Sequence, residues 1–230
     1  MAKKEFFLIL DSETTINDLV YDFGAVIVDR RGNIQTQCAV LIQESMEADL
    51  FYDHKTALWS KANAAAKKVA YADMVTNGTR SIASVAAVNR WLEKAIAKYN
   101  PMLTAYNLAF DSAKCANTGI DLNGFTNRFC LWHLAVAVFG NTKNFRAFAL
   151  QNHYFGNRTA FGNMTITTNA EIMAHFVSGE FVAEPHTAIE DAIGFELPIL
   201  VAALKKKDWK KKIGIAYNWR NLQVKDSFHA

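Results

Sequence analysis

Hydrophobic residues near the N-terminus are arranged as in β-strands. Residues 5–10 form an almost unbroken apolar run, which is typical of a strand buried on both faces of a sheet. Residues 23–28 and Ile34–Ile42 are two further strand candidates, and the polar segment 29–33 between them has the composition of a turn. The pattern therefore predicts a hairpin beside the first strand.

Helical spacing dominates the rest of the chain. Residues 57–72 are rich in Ala and Lys, and Ser81 is a candidate N-cap for a helix that ends before Pro101. Pro198 lies inside the last apolar helix, where it predicts a kink or a break. The other predicted elements are strands over residues 102–106 and 129–132, helices ending near Gly119 and covering residues 134–139, 171–177 and 188–204, and an irregular polar region over residues 140–168 with an amphipathic piece at 145–150.

The order of these elements predicts an α/β fold with a mixed central β-sheet flanked by α-helices. No Pro-rich or Gly/Ser-rich linker occurs, so residues 1–204 are predicted to form one domain, followed by a basic C-terminal tail, residues 205–230. The tail carries eight Lys or Arg and two acids, net +6, whereas the other 204 residues carry 17 basic and 20 acidic side chains, net −3. Either the tail meets an anionic partner, or its lysines are solvated at a helix end.

Composition excludes several classes of protein. The chain has 230 residues, is 51% hydrophobic and has a formal net charge of +3, which does not suit a disordered chain. No apolar run approaches the roughly 18 residues of a membrane span, and the first run is too short for a signal peptide. The three cysteines are too few for a disulfide framework. We therefore expect a cytoplasmic protein without membrane association.

Two acidic motifs carry the first chemical signal. Asp11 and Glu13 follow the first buried strand, and residues two apart on a strand project from the same face. Two adjacent carboxylates repel each other, and a divalent cation bound through oxygen would compensate them. In the second motif, Thr187 and Glu190 form a capping-box pattern, which predicts that His186 lies on the entering loop and Asp191 in the first helical turn.

A third motif follows the strand predicted over residues 102–106. Asn107 is placed to cap the next helix, and Asp111 follows in its first turns. Alone, this segment is most simply a capped helix with an exposed Asp. In combination and in this order, however, the segments Asp11-x-Glu13-Thr14, Asn107-x-x-Phe110-Asp111 and His186-x₄-Asp191 resemble the three motifs of the DEDDh (DnaQ-like) 3′–5′ exonucleases.

This resemblance implies a ribonuclease H-like fold and a two-metal phosphodiesterase site. Asp11, Glu13, Asp111 and Asp191 would hold two Mg²⁺ or Mn²⁺ ions, which suits the activation of water and the stabilisation of a leaving oxygen. His186 would be the general base, since imidazole titrates near neutral pH. Thr14 and Asn107 are the residues of the motifs expected to contact the terminal nucleotide.

The basic tail gains a possible role from the resemblance. Lys205, Lys206, Lys207 and Trp209, with Tyr217 and Trp219 further on, have the cations and rings that single-strand binding uses. A core role for the aromatic residues is the alternative. Zinc is not expected, because Cys130 and His133, with Cys115 and His153, have incomplete spacing for a structural site.

The sequence thus predicts a metal-dependent 3′–5′ exonuclease that acts on single-stranded nucleic acid, DNA rather than RNA, and releases nucleoside 5′-monophosphates. Two alternatives remain open at this point. One is a nuclease-like module that binds nucleic acid without hydrolysing it. The other is a proofreading subunit that works with replication or repair proteins.

Overall fold

A computed structural model describes residues 4–53, 55, 60–215 and 219–224. Its strands are β1 (Phe6–Thr14), β2 (Val20–Asp29), β3 (Ile34–Ile42), β4 (Ser81–Ala83), β5 (Met102–Ala105), β6 (Arg128–Cys130), β7 (Phe155–Arg158), β8 (Met164–Ile166) and β9 (Gln223–Val224). Its α-helices are α1 (Lys61–Thr76), α2 (Val85–Tyr99), α3 (Leu108–Thr118), α4 (Leu131–Ala135), α5 (Lys143–Gln151), α6 (Ala170–Ser178), α7 (Ala188–Asp191), α8 (Leu197–Leu204) and α9 (Trp209–Lys212). Val136–Gly140 and Ala192–Glu196 are π-helical.

The main sheet has six strands in the order β4-β3-β2-β1-β5-β6. The β1–β2 and β2–β3 pairs are antiparallel, which confirms the predicted hairpin, whereas β4, β5 and β6 each pair in parallel with a neighbour. Helices flank this mixed sheet. The predicted α/β class is therefore confirmed, and the architecture is compatible with a ribonuclease H-like fold.

Alternate residues of β1 enter two hydrophobic cores, as expected for a strand buried on both faces. Phe7 and Ile9 pack with α4, α5, α6 and α8, while Leu8 and Leu10 pack with α2 and α3. The polar end of β1 is consequently held between two rigid layers. The packing of β1 therefore determines where the backbone of Asp11 and Glu13 lies.

Two predicted helices differ in detail from the structure. Ser81 is not an N-cap: it begins the edge strand β4, which pairs with β3, and Ser84 caps α2 by accepting the Ala87 N–H at 3.3 Å. Backbone pairing with the sheet outweighs local capping at this point. The predicted helix over residues 57–72 is α1, whose N-cap is Ser60; residues 57–59 lie outside the described ranges.

The last predicted helix is continuous and consists of α7, a π-helical turn and α8 in succession. Pro198, predicted to kink or break this helix, lies at the start of α8, directly after the π turn. Proline lacks the N–H that would donate to the preceding turn, and the wider π turn absorbs that loss.

The region over residues 140–168 is more regular than predicted. The amphipathic piece is α5, capped by Thr142, and two short strands follow, β7 and β8. These strands are only four and three residues long, too short to show the apolar alternation that reveals a half-buried strand.

The core continues beyond the domain boundary predicted at residue 204. Trp209 and Leu222 are 1% exposed and belong to the same core as Phe7, and β9 pairs with β8. Residues 205–224, as far as they are described, therefore pack onto the domain. Tyr217 and residues 225–230 of the predicted tail lie outside the described residues.

Candidate metal centre

The end of β1 brings the first two carboxylates out of the hydrophobic core. Asp11 and Glu13 lie opposite Gly24 and Asp22 of β2, on the face of the sheet that α7 covers. Ser12, between them, points to the other face and donates its hydroxyl to Asp111 Oδ1 at 2.8 Å. One strand end therefore supplies two acids and positions a third.

Asp111 lies in the first turn of α3 and is 2% exposed, so it is not the exposed Asp that this segment taken alone would suggest. Burial raises the pKa of Asp111 to about 7, although the Ser12 hydroxyl acts in the opposite direction. Asn107 occupies the N-cap position with a left-handed φ of 76°, but its side chain does not cap the helix. Its predicted contact with the terminal nucleotide stays a prediction.

The segment from His186 to Asp191 is held in place by Asp22 and Arg80, which lie outside the three motifs. Thr187 makes no side-chain capping bond; instead, the buried Asp22 accepts the Ala188 N–H at 3.0 Å. Glu190 does not close a capping box, because it pairs with Arg80. The predicted helix start is right, but the capping box is not what sets it.

Arg80 joins this arrangement together. It is 2% exposed, and its guanidinium contacts both Asp22, with Nε 3.0 Å from Oδ1, and Glu190. Gly24 lets α7 approach the sheet, since a Cβ there would lie under 3.0 Å from the backbone of Ala188. In the sequence, Asp22 differs from its neighbours as a charged residue within a largely apolar strand, and this difference could have indicated its role.

The predicted residues meet in one place. Ligand atoms of Glu13, His186 and Asp191 all lie within 4.8 Å of one another. Asp11 is adjacent: burial raises its pKa well above the usual range, and the charges of Glu196, Asp111, Glu13 and Asp191 add to this effect. Three of the five predicted catalytic side chains therefore meet directly, and Asp11 and Asp111 lie within electrostatic range, together with Glu196, which sequence analysis missed.

Burial is the main cause of the raised pKa values of the acids in the cluster, and neighbouring charges modify it. Burial raises the pKa of Glu13 to about 8 and that of Asp191 to about 8, and in both cases the charge of Lys67 acts in the opposite direction. Lys67 Nζ lies 4.0 Å from Glu13 and donates to the Pro185 carbonyl at 3.2 Å. A single partly buried lysine does not neutralise this many acids.

His186 differs from the acids in the sign of its shift. Burial, and then the charge of Lys67, lower the pKa of its imidazole. Its backbone has a left-handed φ of 55°, which is uncommon for a residue with a Cβ. The neutral imidazole is therefore the favoured form near neutral pH.

The donor set fits divalent cations such as Mg²⁺ and Mn²⁺. Asp191 Oδ1 and Glu196 Oε2 are buried and have no hydrogen-bond partner among the described residues. A carboxylate oxygen only accepts, so a buried one without a donor needs a proton or a cation. Oxygen ligands with an accessory imidazole are the chemistry that these hard cations accept.

A cleft of about 460 Å³ opens beside the cluster. One side is formed by α1, which contributes Ala64, Lys67, Tyr71 and Met74, and the other by the chain around His186. The predicted substrate residue Thr14 lies in its lining together with Glu13. The region between β3 and β4, which lies outside the three motifs, thus forms one wall of the cleft.

The predicted tail contacts are distant from this cleft. Trp209 was predicted to stack on a base, but its indole packs against Phe7 and Phe129 with ring centroids 5.8 and 6.2 Å away. The assignment is wrong, and the alternative core role is the observed one. The reason is the apolar contact area that the large indole gains in the core.

Lys205, Lys206 and Lys207 are exposed, but they follow α8 at the other end of the sheet. There, Arg30 donates to the Leu204 carbonyl at 3.0 Å, and Lys210 pairs with Glu5. Glu5 and Glu13 are separated by roughly 26 Å of extended chain. These lysines therefore do not line the cleft, and their predicted contact with substrate at the site is not supported.

The prediction that Cys130, His133 and their neighbours bind no zinc is not tested. Within the described ranges, the potential metal-ligating side chains that come together are Glu13, His186 and Asp191. Within the same ranges, no helix is long and apolar enough to span a membrane. No family model, curated protein or solved structure matches the chain. Function must therefore be inferred from the cluster and the cleft themselves.

Proposed function

We propose that the protein is a metal-dependent 3′–5′ exonuclease that hydrolyses single-stranded nucleic acid, DNA rather than RNA. The convergence of Asp11, Glu13, Asp111, His186 and Asp191 carries the proposal, since three distant segments meet beside one cleft. Folding alone gives no reason to gather so many buried acids with so little compensating charge.

The four carboxylates would hold the ions. Asp11, Glu13, Asp111 and Asp191 supply oxygen ligands, and two Mg²⁺ or Mn²⁺ ions bound there would provide water of lowered pKa and stabilise charge on a phosphate. The mutual repulsion of the acids supports this assignment, because a bound cation relieves it. Ser12 keeps the Asp111 carboxylate oriented through its 2.8 Å hydrogen bond.

His186 is the proton acceptor in this proposal. Its lowered pKa keeps the imidazole neutral and able to accept a proton from water near pH 7. The Asp22–Arg80–Glu190 network holds α7, and Lys67 holds the Pro185 carbonyl on the entering loop. These contacts restrict where the imidazole can lie relative to Glu13 and Asp191.

The cleft supports a terminal nucleotide as the bound group. Its α1 wall offers apolar surface to a base, and Lys67 brings a positive charge for a phosphate close to the carboxylates. Cations with apolar or aromatic surface are the usual combination in single-strand sites. The direction of attack, from the 3′ end, rests on the motif resemblance.

Product analysis tests the function directly. Single-stranded DNA and RNA of one sequence, labelled at the 5′ end, are incubated with Mg²⁺, Mn²⁺ or EDTA, beside an Asp11→Ala control. We expect a metal-dependent ladder that shortens from the 3′ end, more rapidly with DNA, and no ladder with the variant. Retention of either strand in a gel shift without cleavage would favour the non-hydrolysing module.

A further inference from the structure

Glu196 reaches the acidic cluster because of the π-helical turn. It is the last residue of Ala192–Glu196, and it lies five positions after Asp191. In an α-helix, residues five apart point about 140° away from each other. A π turn bonds residue i to residue i+5 and brings such residues towards the same side, which is one reason why these turns occur at functional sites.

The two oxygens of Glu196 have different environments. Oε1 accepts the Tyr106 N–H at 2.9 Å and so fixes the chain at the end of β5, directly before the Asn107 turn. Oε2 is buried and has no hydrogen-bond partner within the part of the chain that the structure describes, and Glu196 as a whole is 3% exposed. A structural acceptor needs only the first oxygen, so the second indicates another use.

The charge of Glu196 interacts with those of Asp11 and Asp111, two acids of the cluster that do not line the cleft. Of the neighbouring charges, that of Glu196 has the largest effect on the pKa of Asp11, and that of Asp111 has the largest effect on Glu196. Glu13, His186 and Asp191 form the group next to the cleft. Glu196 therefore lies within electrostatic range of Asp11 and Asp111, and the π turn that it ends packs against β1, the strand that carries Asp11.

We propose that Glu196 is a fifth carboxylate of the metal centre, which adds the charge of Oε2 to the cation site of Asp11 and Asp111 while Oε1 holds the Tyr106 amide. This inference rests on the metal site of the proposed function. The competing interpretation is a protonated Glu196 that acts only as a hydrogen-bond acceptor for β5.

Glu196→Gln separates the two interpretations, because it keeps an acceptor for Tyr106 and removes the charge. Mn²⁺ binding to the full-length, EDTA-treated protein is measured by titration calorimetry, and thermal unfolding is followed with and without Mn²⁺. We expect at least a 10-fold loss of Mn²⁺ affinity, a smaller Mn²⁺-induced rise in Tm, and a higher Tm without metal because repulsion is relieved. The matched control is Glu180→Gln, an exposed residue, which should bind like the wild type.

Unchanged Mn²⁺ affinity in Glu196→Gln would overturn the inference and leave the proposed function intact. Absence of Mn²⁺ binding in the wild type would overturn both. If Glu196→Gln does not fold, Glu196→Asp is measured instead, since it keeps the charge and shortens its reach. Weaker Mn²⁺ binding by that variant supports the inference, and wild-type affinity contradicts it.

Discussion

Glutamate has opposite electrostatic surroundings at the two ends of β1. Glu5, just before the strand, is contacted by the cations Lys210 and Arg30 on an open surface. Glu13, near the other end, lies among Asp11, Asp191 and Asp22, with Lys67 as the nearest described cation, 4.0 Å away. The first arrangement is complete as it stands. The second gains stability only when a cation or a proton is added, which distinguishes a ligand site from a surface ion pair.

Substitution at the two ends of the strand should have very different consequences. Asp11→Asn should lower nuclease turnover by roughly 10³-fold or more, because the cation loses a central carboxylate. Glu5→Gln should stay within about 2-fold of the wild type, since exposed ion pairs contribute little. Turnover of a 5′-labelled single strand at saturating Mg²⁺ measures both. Comparable losses at the two ends would remove the distinction.

The histidines allow a second comparison. His186→Ala should lower turnover by roughly 10²–10⁴-fold through loss of the proton acceptor, with Mn²⁺ affinity largely retained. His153 is the matched control, because it also has a left-handed φ, 57°, but is exposed and away from the acids. His153→Ala should retain activity. Full activity of His186→Ala would contradict its role as the base.

Two glycines test how closely α7 must approach the sheet. Gly24→Ala would place a Cβ under 3.0 Å from the backbone of Ala188 and Ile189, so it should destabilise the fold by about 1–3 kcal/mol and displace Asp191. Gly194, in the π turn, has open space where a Cβ would lie, and Gly194→Ala should be nearly neutral. Urea denaturation and turnover report the two effects. Normal turnover in a destabilised Gly24→Ala would show that the position of α7 is not critical.

The raised pKa values of the acids give a pH dependence of defined sign. Without metal, Asp111, Glu13 and Asp191 have folded-state pKa values of about 7, 8 and 8, above their unfolded values of roughly 4. Their contribution to stability is therefore fully present below about pH 4 and is lost as the pH rises through 7–8. Other groups titrate below pH 5, so the comparison is made from pH 5 upward.

The metal-free protein should accordingly lose at least about 1 kcal/mol of stability between pH 5 and pH 8.5. Mn²⁺ should stabilise it more at pH 8 than at pH 5, since the acids are then ionised. Thermal unfolding with EDTA or Mn²⁺ at both pH values measures this. Asp111→Asn should reduce the loss, and a metal-free protein that gains stability over this range would contradict the raised pKa values.

Much of the site could be predicted because it depends on short motifs in fixed order. The apolar run before Asp11 defined a buried strand, and the loop–helix junction at Thr187 placed His186 and Asp191. What could not be predicted depends on long-range contacts: Arg80 reaches Asp22 and Glu190 only in the folded chain. Glu196 was missed for another reason, since ordinary α-helical spacing puts it on the wrong side of the helix from Asp191.

The basic residues after α8 provide the smallest expected effect. Changing Lys205, Lys206 and Lys207 together to Gln removes exposed charge at the end of the sheet remote from the cleft. Turnover of a trinucleotide should therefore stay within about 2-fold, because so short a strand cannot span roughly 26 Å to the tail. A strand of 20 nucleotides can reach it, so its affinity should weaken and its salt dependence decrease slightly if the tail contacts the backbone. Measuring the triple variant on both substrates shows where the lysines act. Weaker binding of the long strand alone assigns them to binding away from the cleft, whereas slower turnover of the trinucleotide would place them at the site.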